Sequence, residues 1–377
     1  MRDQIARLFE ADGPFVTVYL DARSDTEQAQ QKLLQHWKPV RADLEAEGAT
    51  DEDLEAIEAA IGEHTHIGGD TFVAVAAGGS VLLARHLPEP PNSDAGYLGL
   101  LPRAGTLLET AQTLLPHLVV LVDRTGADIY GFSAAGEAVE EEVTGPSQGP
   151  HIRRNPPGGW SQRRYQERAV KAWEENAQEV ADEVVSIAKD IDARLIVVGG
   201  DVHAVRLLRE YLPDTVGRVE ELEGGSRHPG SDVDLEAEGV KRLVDTVVAA
   251  ETVEVLRKFK EEKGQHDRYA DGPARVLEAL QTATVETLLV HDDPADGRTA
   301  WFGPDGPHLG LQRSDLEAMG VEHPREGRLV DVAIKSALQT SAEVRIVPGA
   351  TVTDGLGAIL RHTGTTPDTP GSPGSQP

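Results

Sequence analysis

The longest run of branched aliphatic residues in this chain is five, Leu118 to Val122. A run of that length can build a buried strand, but it falls far short of the roughly 20 residues a helix needs to cross a bilayer. Other short runs, Phe15 to Leu20, Thr71 to Ala76 and Arg194 to Val198, alternate with polar stretches whose apolar residues recur three and four apart. Strand-sized runs alternating with amphipathic helices imply an α/β fold, and 377 residues imply two or three domains. With 39% hydrophobic residues and 16 aromatics, the cores should be built from Leu, Val and Ala. The chain has no cysteine, so disulfides, thiolate zinc sites and cysteine nucleophiles are excluded. The opening MRDQIARLFEADGP lacks the pattern of a signal peptide, which makes a soluble cytoplasmic protein the expectation.

Along the chain the pattern predicts three units, 1–110, 111–264 and 265–362. The first reads as a strand at Phe15 to Leu20, helices over 26–47 and 51–62, a hairpin of Thr71 to Ala76 with Ser80 to His86, and closure at the Pro-rich Pro88 to Pro91. The second opens with strands His117 to Asp123 and Ala127 to Ser133, joined through Arg124-Thr125-Gly126, and a third strand from Glu137 to Val143. A Pro/Gly-rich loop from Thr144 to Ser161 precedes a helix with apolar residues at Val170, Trp173, Ala177, Val180, Val184 and Ile187. Next come the strand Arg194 to Val198, a helix from Val202 to Tyr211, and a long helix over 234–262 with Val240 to Phe259 on one face. A three-strand meander followed by helix, strand and helix predicts a ribonuclease-H-like central unit. In the third unit we expect helices over 273–282, 327–340 and 354–361 and strands over 286–291, 298–303 and 343–347. The tail, Thr363 to Pro377, is composed for disorder.

Charge is distributed unevenly. The net charge is −28, which argues against DNA or an anionic membrane as a general partner. Yet His151 to Lys171 holds six cations, Arg153, Arg154, Arg163, Arg164, Arg168 and Lys171, against one acid, Glu167. Such a segment can neutralise several phosphates while the remaining surface repels nucleic acid. Within it Pro156-Pro157 stiffen the approach, Gly158 and Gly159 permit backbone geometries closed to other residues, and Trp160 offers a stacking plane. Ser161 is positioned to cap the following helix, whose N-terminal dipole favours a phosphate. A plain solvent loop with Trp160 folded onto its own domain is the alternative.

The stretch Asn155-Pro-Pro-Gly-Gly-Trp-Ser-Gln-Arg-Arg-Tyr165, running into an amphipathic helix and then Ile196-Val-Val-Gly-Gly200, resembles the central domain of archaeo-eukaryotic class-I release factors and their relative Pelota. There the loop reads Gly-Gly-Gln, followed by Ser and an Arg-rich helix start. The resemblance extends over about 110–362, with Asp354 to Arg361 similar to the end of a Pelota-like C-terminal α/β domain. It is greatest to the bacterial branch that includes the ribosome hibernation factor Balon. It implies ribosomal RNA near the peptidyl-transferase centre and decoding region as the partner of Arg153, Arg154, Gly158, Gly159, Trp160, Ser161, Gln162, Arg163, Arg164 and Arg168, and elongation factor Tu as a further partner. One departure bears on chemistry. In release factors the Gln of Gly-Gly-Gln organises the hydrolytic water, and here that position is Trp160. An indole offers one N–H donor and no in-plane acceptor, so it cannot replace an amide. Gln162 lies two residues on and could reach in only if the loop rearranged. The expected function is therefore A-site binding without catalysis, in hibernation or stress protection, with no cofactor. A rescue peptidyl-tRNA hydrolase, a tRNA-end nuclease and a non-ribosomal interaction protein are the alternatives.

Three further motifs carry less. Asp123 and Asp128 flank a hairpin where paired carboxylates could hold Mg²⁺, although Asp is common before turns. His64 and His66 have His-x-His spacing but no third ligand nearby. Gly199-Gly200-Asp201 follows a strand without matching a nucleotide-binding loop, and reads as a strand-to-helix turn.

Overall fold

The computed structural model describes residues 1–23, 29–63, 70–88, 91, 93–123, 125–133, 138–144, 160–225 and 233–362, with backbone alone at 63, 138–139, 142–144, 160–173 and 233–236. The described chain is mixed α/β. It divides into two compact units, one formed by Ala111–Val253 with Met1, the other by the segments Arg2–Thr110 and Glu254–Pro377.

The first segment carries α1 (Arg2–Leu8), β1 (Phe15–Asp21), α2 (Ala29–Glu47), α3 (Asp51–Glu63), β2 (Thr71–Ala77), β3 (Ser80–Leu87), β4 (Ala95–Gly99) and α4 (Gly105–Thr113). Alternate residues of β1, Val16, Val18 and Leu20, point to one face, where they meet Phe72, Ala74 and Ala76 of β2. Leu33, Trp37, Val40 and Leu44 of α2 and Leu54, Ile57 and Ile61 of α3 cover that face. These are the helical positions that the three-and-four spacing marks. The sheet does not end at the prolines. Its order is β3-β2-β1-β4, with β4 antiparallel to β1 from Phe15↔Gly99 to Tyr19↔Ala95. Ala95-Gly-Tyr-Leu-Gly99 has neither alternation nor a β-branched residue, so nothing in its composition announces a strand.

The unit Ala111–Val253 contains β5 (His117–Val122), β6 (Gly126–Phe132), β7 (Ala138–Thr144), α5 (Trp160–Asp190), β8 (Leu195–Gly200), α6 (Val202–Tyr211), β9 (Arg218–Glu221) and most of α7 (Val233–Gln265). The strand order is β7-β6-β5-β8-β9, with β5, β6 and β7 an antiparallel meander and β8 and β9 parallel to β5. This is the expected ribonuclease-H-like order. Leu118, Val120 and Val122 pack under Val180, Val184, Val205 and Leu208 of α5 and α6. Val119, Leu121, Leu195 and Val197 face the other way, onto Val240, Leu243, Val244 and Val247 of α7. The apolar stripe of α7 serves two cores, because its distal residues Val255, Leu256 and Phe259 join Leu289, Val352 and Ile359 instead.

The segment from Glu254 continues with β10 (Tyr269–Asp271), α8 (Pro273–Gln281), β11 (Val285–Val290), β12 (Thr299–Phe302), β13 (Leu309–Gly310), α9 (Arg313–Ala318), β14 (Arg325–Arg328), α10 (Leu329–Gln339), β15 (Glu343–Ile346) and β16 (Leu356–Leu360). They form one sheet of order β10-β16-β11-β15 and a smaller one of order β13-β12-β14. The helix expected over 354–361 is instead β16, wholly buried between β10 and β11. Its apolar residues 356, 359 and 360 suit either element, and a short buried run cannot be assigned by period alone. Packing decides: a Cβ at Gly357 would lie 2.6 Å from Val352 Cγ1 and 3.0 Å from Phe259 Cζ, so only glycine lets α7 approach this strand. The tail 363–377 lies outside the described residues.

Candidate functional site

The central sheet places the sequence-predicted residues. Val122 ends β5, and the next residue, Asp123, turns the chain: its Oδ1 accepts from Thr125 N at 2.7 Å, Thr125 Oγ1 at 2.7 Å and Gly126 N at 3.1 Å. That oxygen is committed to the β5–β6 turn, as Asp before a turn commonly is. Asp128 sits within β6, opposite Leu121. Among the described residues no group of three or more His, Asp or Glu is arranged to hold a metal. His64 and His66 lie outside the described residues.

Gly199-Gly200-Asp201 is the strand-to-helix turn the spacing indicates. Gly200 has φ +131°, and a Cβ there would collide with the Val122 carbonyl oxygen. Asp201 then caps α6, its Oδ1 accepting from His203 N at 3.0 Å and Ala204 N at 3.2 Å. Beside it Val122, Asp123, Asn176 and His203 enclose a recess of about 10 Å³, room for one water. The recess is a packing gap.

Of the residues assigned to RNA binding, Arg153, Arg154, Gly158 and Gly159 lie outside the described residues. Trp160, Ser161, Gln162, Arg163, Arg164 and Arg168 occupy the first turns of α5, which begins at Trp160. Ser161 follows the first described residue of α5. The early start also fixes a phase. At about 100° per residue, positions 160, 164, 168 and 171 form one stripe, roughly opposite the side where Ala177, Val180 and Val184 enter the core. Position 162 falls on the core-bearing side, in phase with Val180.

A second constellation escapes sequence reasoning. In the other unit, Arg328 at the start of α10 pairs with Asp292 and donates to the carbonyls of Asp293 at 2.7 Å and Asp296 at 3.2 Å. Its Nη1 lies 3.4 Å from Asp331 Oδ1. The Asp292 carboxylate abuts Gly105 at the start of α4, where any Cβ would collide with it. Arg103 donates to the Pro294 carbonyl at 3.1 Å, stacks 4.3 Å over the Tyr97 ring, and offers its own carbonyl to the Tyr19 hydroxyl at 2.7 Å. Burial pushes the Asp331 carboxyl up to about 7, against the pull of Arg328 and with Asp292 adding to the rise. Burial likewise raises the Tyr19 hydroxyl, again with Asp292 contributing. Arg103, Asp292 and Arg328 stand far apart in sequence, so no local motif exists. The available signal is a lone acid inside Leu329-Val-Asp-Val-Ala-Ile334, where both flanks are apolar.

The comparisons with known proteins bear on the first of these sites. Residues 116–265 match the model of bacterial archaeo-eukaryotic release factor family 2. The uncharacterized proteins MT2704 and Rv2629 of two Mycobacterium tuberculosis strains (CDC 1551 / Oshkosh and H37Rv) are each 27% identical over 380 residues, covering 97% of this chain and 98% of theirs. Among solved structures, the archaeal translation termination factor aRF1 is 16% identical, with 96% of this chain and 98% of that chain covered and a TM-score of 0.25. Pelota of Archaeoglobus fulgidus is 15% identical, with 96% and 92% covered and a TM-score of 0.34. Over residues 116–265, the unit built on β5 to β9 and α5 to α7, this chain is thus similar to the bacterial archaeo-eukaryotic release factors of family 2.

Proposed function

We propose that this protein is a ribosome-associated factor that occupies the A site without hydrolysing peptidyl-tRNA. The observation that carries the reading is Trp160, at the position where release factors hold their catalytic Gln, inside a segment that family 2 of these bacterial factors matches. Trp160 starts α5 and shares a stripe with positions 164, 168 and 171, an arrangement suited to stacking and phosphate contacts, not to orienting a water. Gln162, the amide two residues beyond Trp160, occupies a position on the opposite side. Arg153, Arg154, Gly158, Gly159, Ser161 and Arg163 complete the proposed RNA-binding segment. Its targets are ribosomal RNA near the peptidyl-transferase centre and decoding region. Holding idle ribosomes under stress is the role that such binding without release serves, and elongation factor Tu is the delivery partner that the resemblance implies. The three-part division at about 110 and 264 gives the binding segment a domain of its own.

Single-turnover release from stalled ribosomes tests the chemistry. The expected result is no peptide release above background by the full chain and no change in Gln162→Ala. Appreciable release by the wild type, lost in Gln162→Ala, overturns the reading in favour of a rescue hydrolase.

A further inference from the structure

The unit formed by Arg2–Thr110 and Glu254–Pro377 contains an open cleft of about 450 Å³. It is lined by the outer side of β4 with Leu100 and Leu101, by Glu326 to Arg328 of β14, and by Glu47, Arg103, Thr299 and Asp331. β4 and β14 are each the last strand of their sheet, so alternate backbone N–H and C=O groups of two strand edges look into one cleft. Gly96 packs against Val40 and Leu44 of α2 and Gly327 against Phe302 and Val332, so these two glycines serve the faces of their strands and the edges offer main-chain groups. Five residues of strand span roughly 17 Å, enough for an extended peptide of similar length.

Charge selects the peptide. The two lining cations are engaged by the chain itself, Arg328 by Asp292 and backbone carbonyls and Arg103 by the Pro294 carbonyl and the Tyr97 ring. The lining carboxyls Glu47 and Glu326 are exposed, Glu326 accepting from Thr299 Oγ1 at 2.6 Å through one oxygen, and Asp331 is 96% buried at the floor, with Arg328 at 3.4 Å as its partner among the described residues. We propose that this cleft docks an extended peptide segment carrying lysine or arginine, laid along the outer edges of β4 and β14 with its cation against Asp331 and Glu326.

Docking should be proton-linked. A cation stabilises the ionised form of Asp331, so binding at pH 6 expels a proton that is already gone at pH 8. The groups facing Asp331 are Arg328 and Glu326 on β14, Asp292 after β11, Arg103 before α4, Tyr19 on β1 and Tyr97 on β4. The inference is independent of ribosome binding, which uses residues of the other unit.

The test uses the full chain and a blocked seven-residue peptide alternating valine and lysine, with a glutamate-for-lysine counterpart, read by fluorescence anisotropy and amide hydrogen exchange. The lysine peptide should bind at least tenfold tighter than the glutamate one, tighten several-fold from pH 6 to 8, and protect amides within 95–99 and 325–328. Asp331→Asn, which removes only a buried charge, should stay folded and lose the pH dependence. Equal binding of both peptides, protection elsewhere, an unchanged pH profile in Asp331→Asn, or displacement of the peptide by a short single-stranded RNA would each overturn the proposal.

Discussion

Asp331 and Lys335 stand one turn apart on α10, both buried, yet neither neutralises the other: Lys335 donates to the Pro304 carbonyl at 2.8 Å and Gln339 Oε1 at 2.7 Å. Burial lowers the Lys335 ammonium to about 8, with Arg325 adding to the fall, while it raises the Asp331 carboxyl to about 7. The two leave opposite marks on stability. Between about pH 4 and 7 the folded chain keeps a proton on Asp331 that the unfolded chain has lost, so stability should fall as pH rises through that window. Between about 8 and 10.5 the unfolded chain keeps a proton on Lys335 that the folded chain has lost, so stability should recover. Denaturant midpoints across pH 4 to 10 measure both slopes. Asp331→Asn should remove the first and stabilise the unit at pH 8 by something on the order of 2 kcal/mol, leaving pH 4 nearly unchanged. A variant less stable than wild type at pH 8 would show that the charge is favourably paired.

Helices and strands differ in how plainly the chain announces them. β1, β2, β5 and β8 are rich in Val, Leu and Phe and stand within a residue or two of their expected limits, and α6 coincides with Val202 to Tyr211. The overlooked strands are short and polar or glycine-bearing: Arg218-Val-Glu-Glu221, Arg325-Glu-Gly-Arg328, Ala95-Gly-Tyr-Leu-Gly99, Tyr269-Ala-Asp271 and Leu309-Gly310. They are strands because a neighbouring edge supplies hydrogen-bond partners, information that is not local. The same contrast holds for the sites. The cations around Trp160 cluster in sequence and are visible at once, whereas the Asp331 cleft is assembled from four distant stretches and invisible until the chain folds. Capping offers a test at this scale. Asp201→Ala should cost about 1 kcal/mol by leaving the His203 and Ala204 amides of α6 without their acceptor. Asp201→Asn should retain most of it. Thermal unfolding of both variants measures the difference, and equal losses would mean the carboxylate acts through charge alone.

For the molecule as a whole, electrostatics governs what can be bound. A chain of net charge −28 that carries six of its 36 cations and a single acid within 153–171 can approach a polyanion through that segment, while its acidic excess elsewhere opposes the approach. Neutralising Arg153, Arg154, Arg163 and Arg164 together should therefore weaken ribosome binding and flatten its dependence on salt. Each lost phosphate contact removes roughly 0.7 to 0.9 from the slope of log K against log salt, so the four should remove about three. Trp160→Ala should lower affinity by about 1–3 kcal/mol with the slope nearly unchanged, since stacking carries little charge. Wild-type affinity and slope in the quadruple variant would move the RNA anchor to another part of the chain.

Ribosome binding by this chain is open to one decisive measurement, co-sedimentation of the purified full chain with vacant bacterial ribosomes at low and at moderate salt. The protein should pellet with ribosomes at both, less at the higher salt, and excess competing A-site tRNA should release it. Protein remaining in the supernatant at both salt concentrations would contradict ribosome binding.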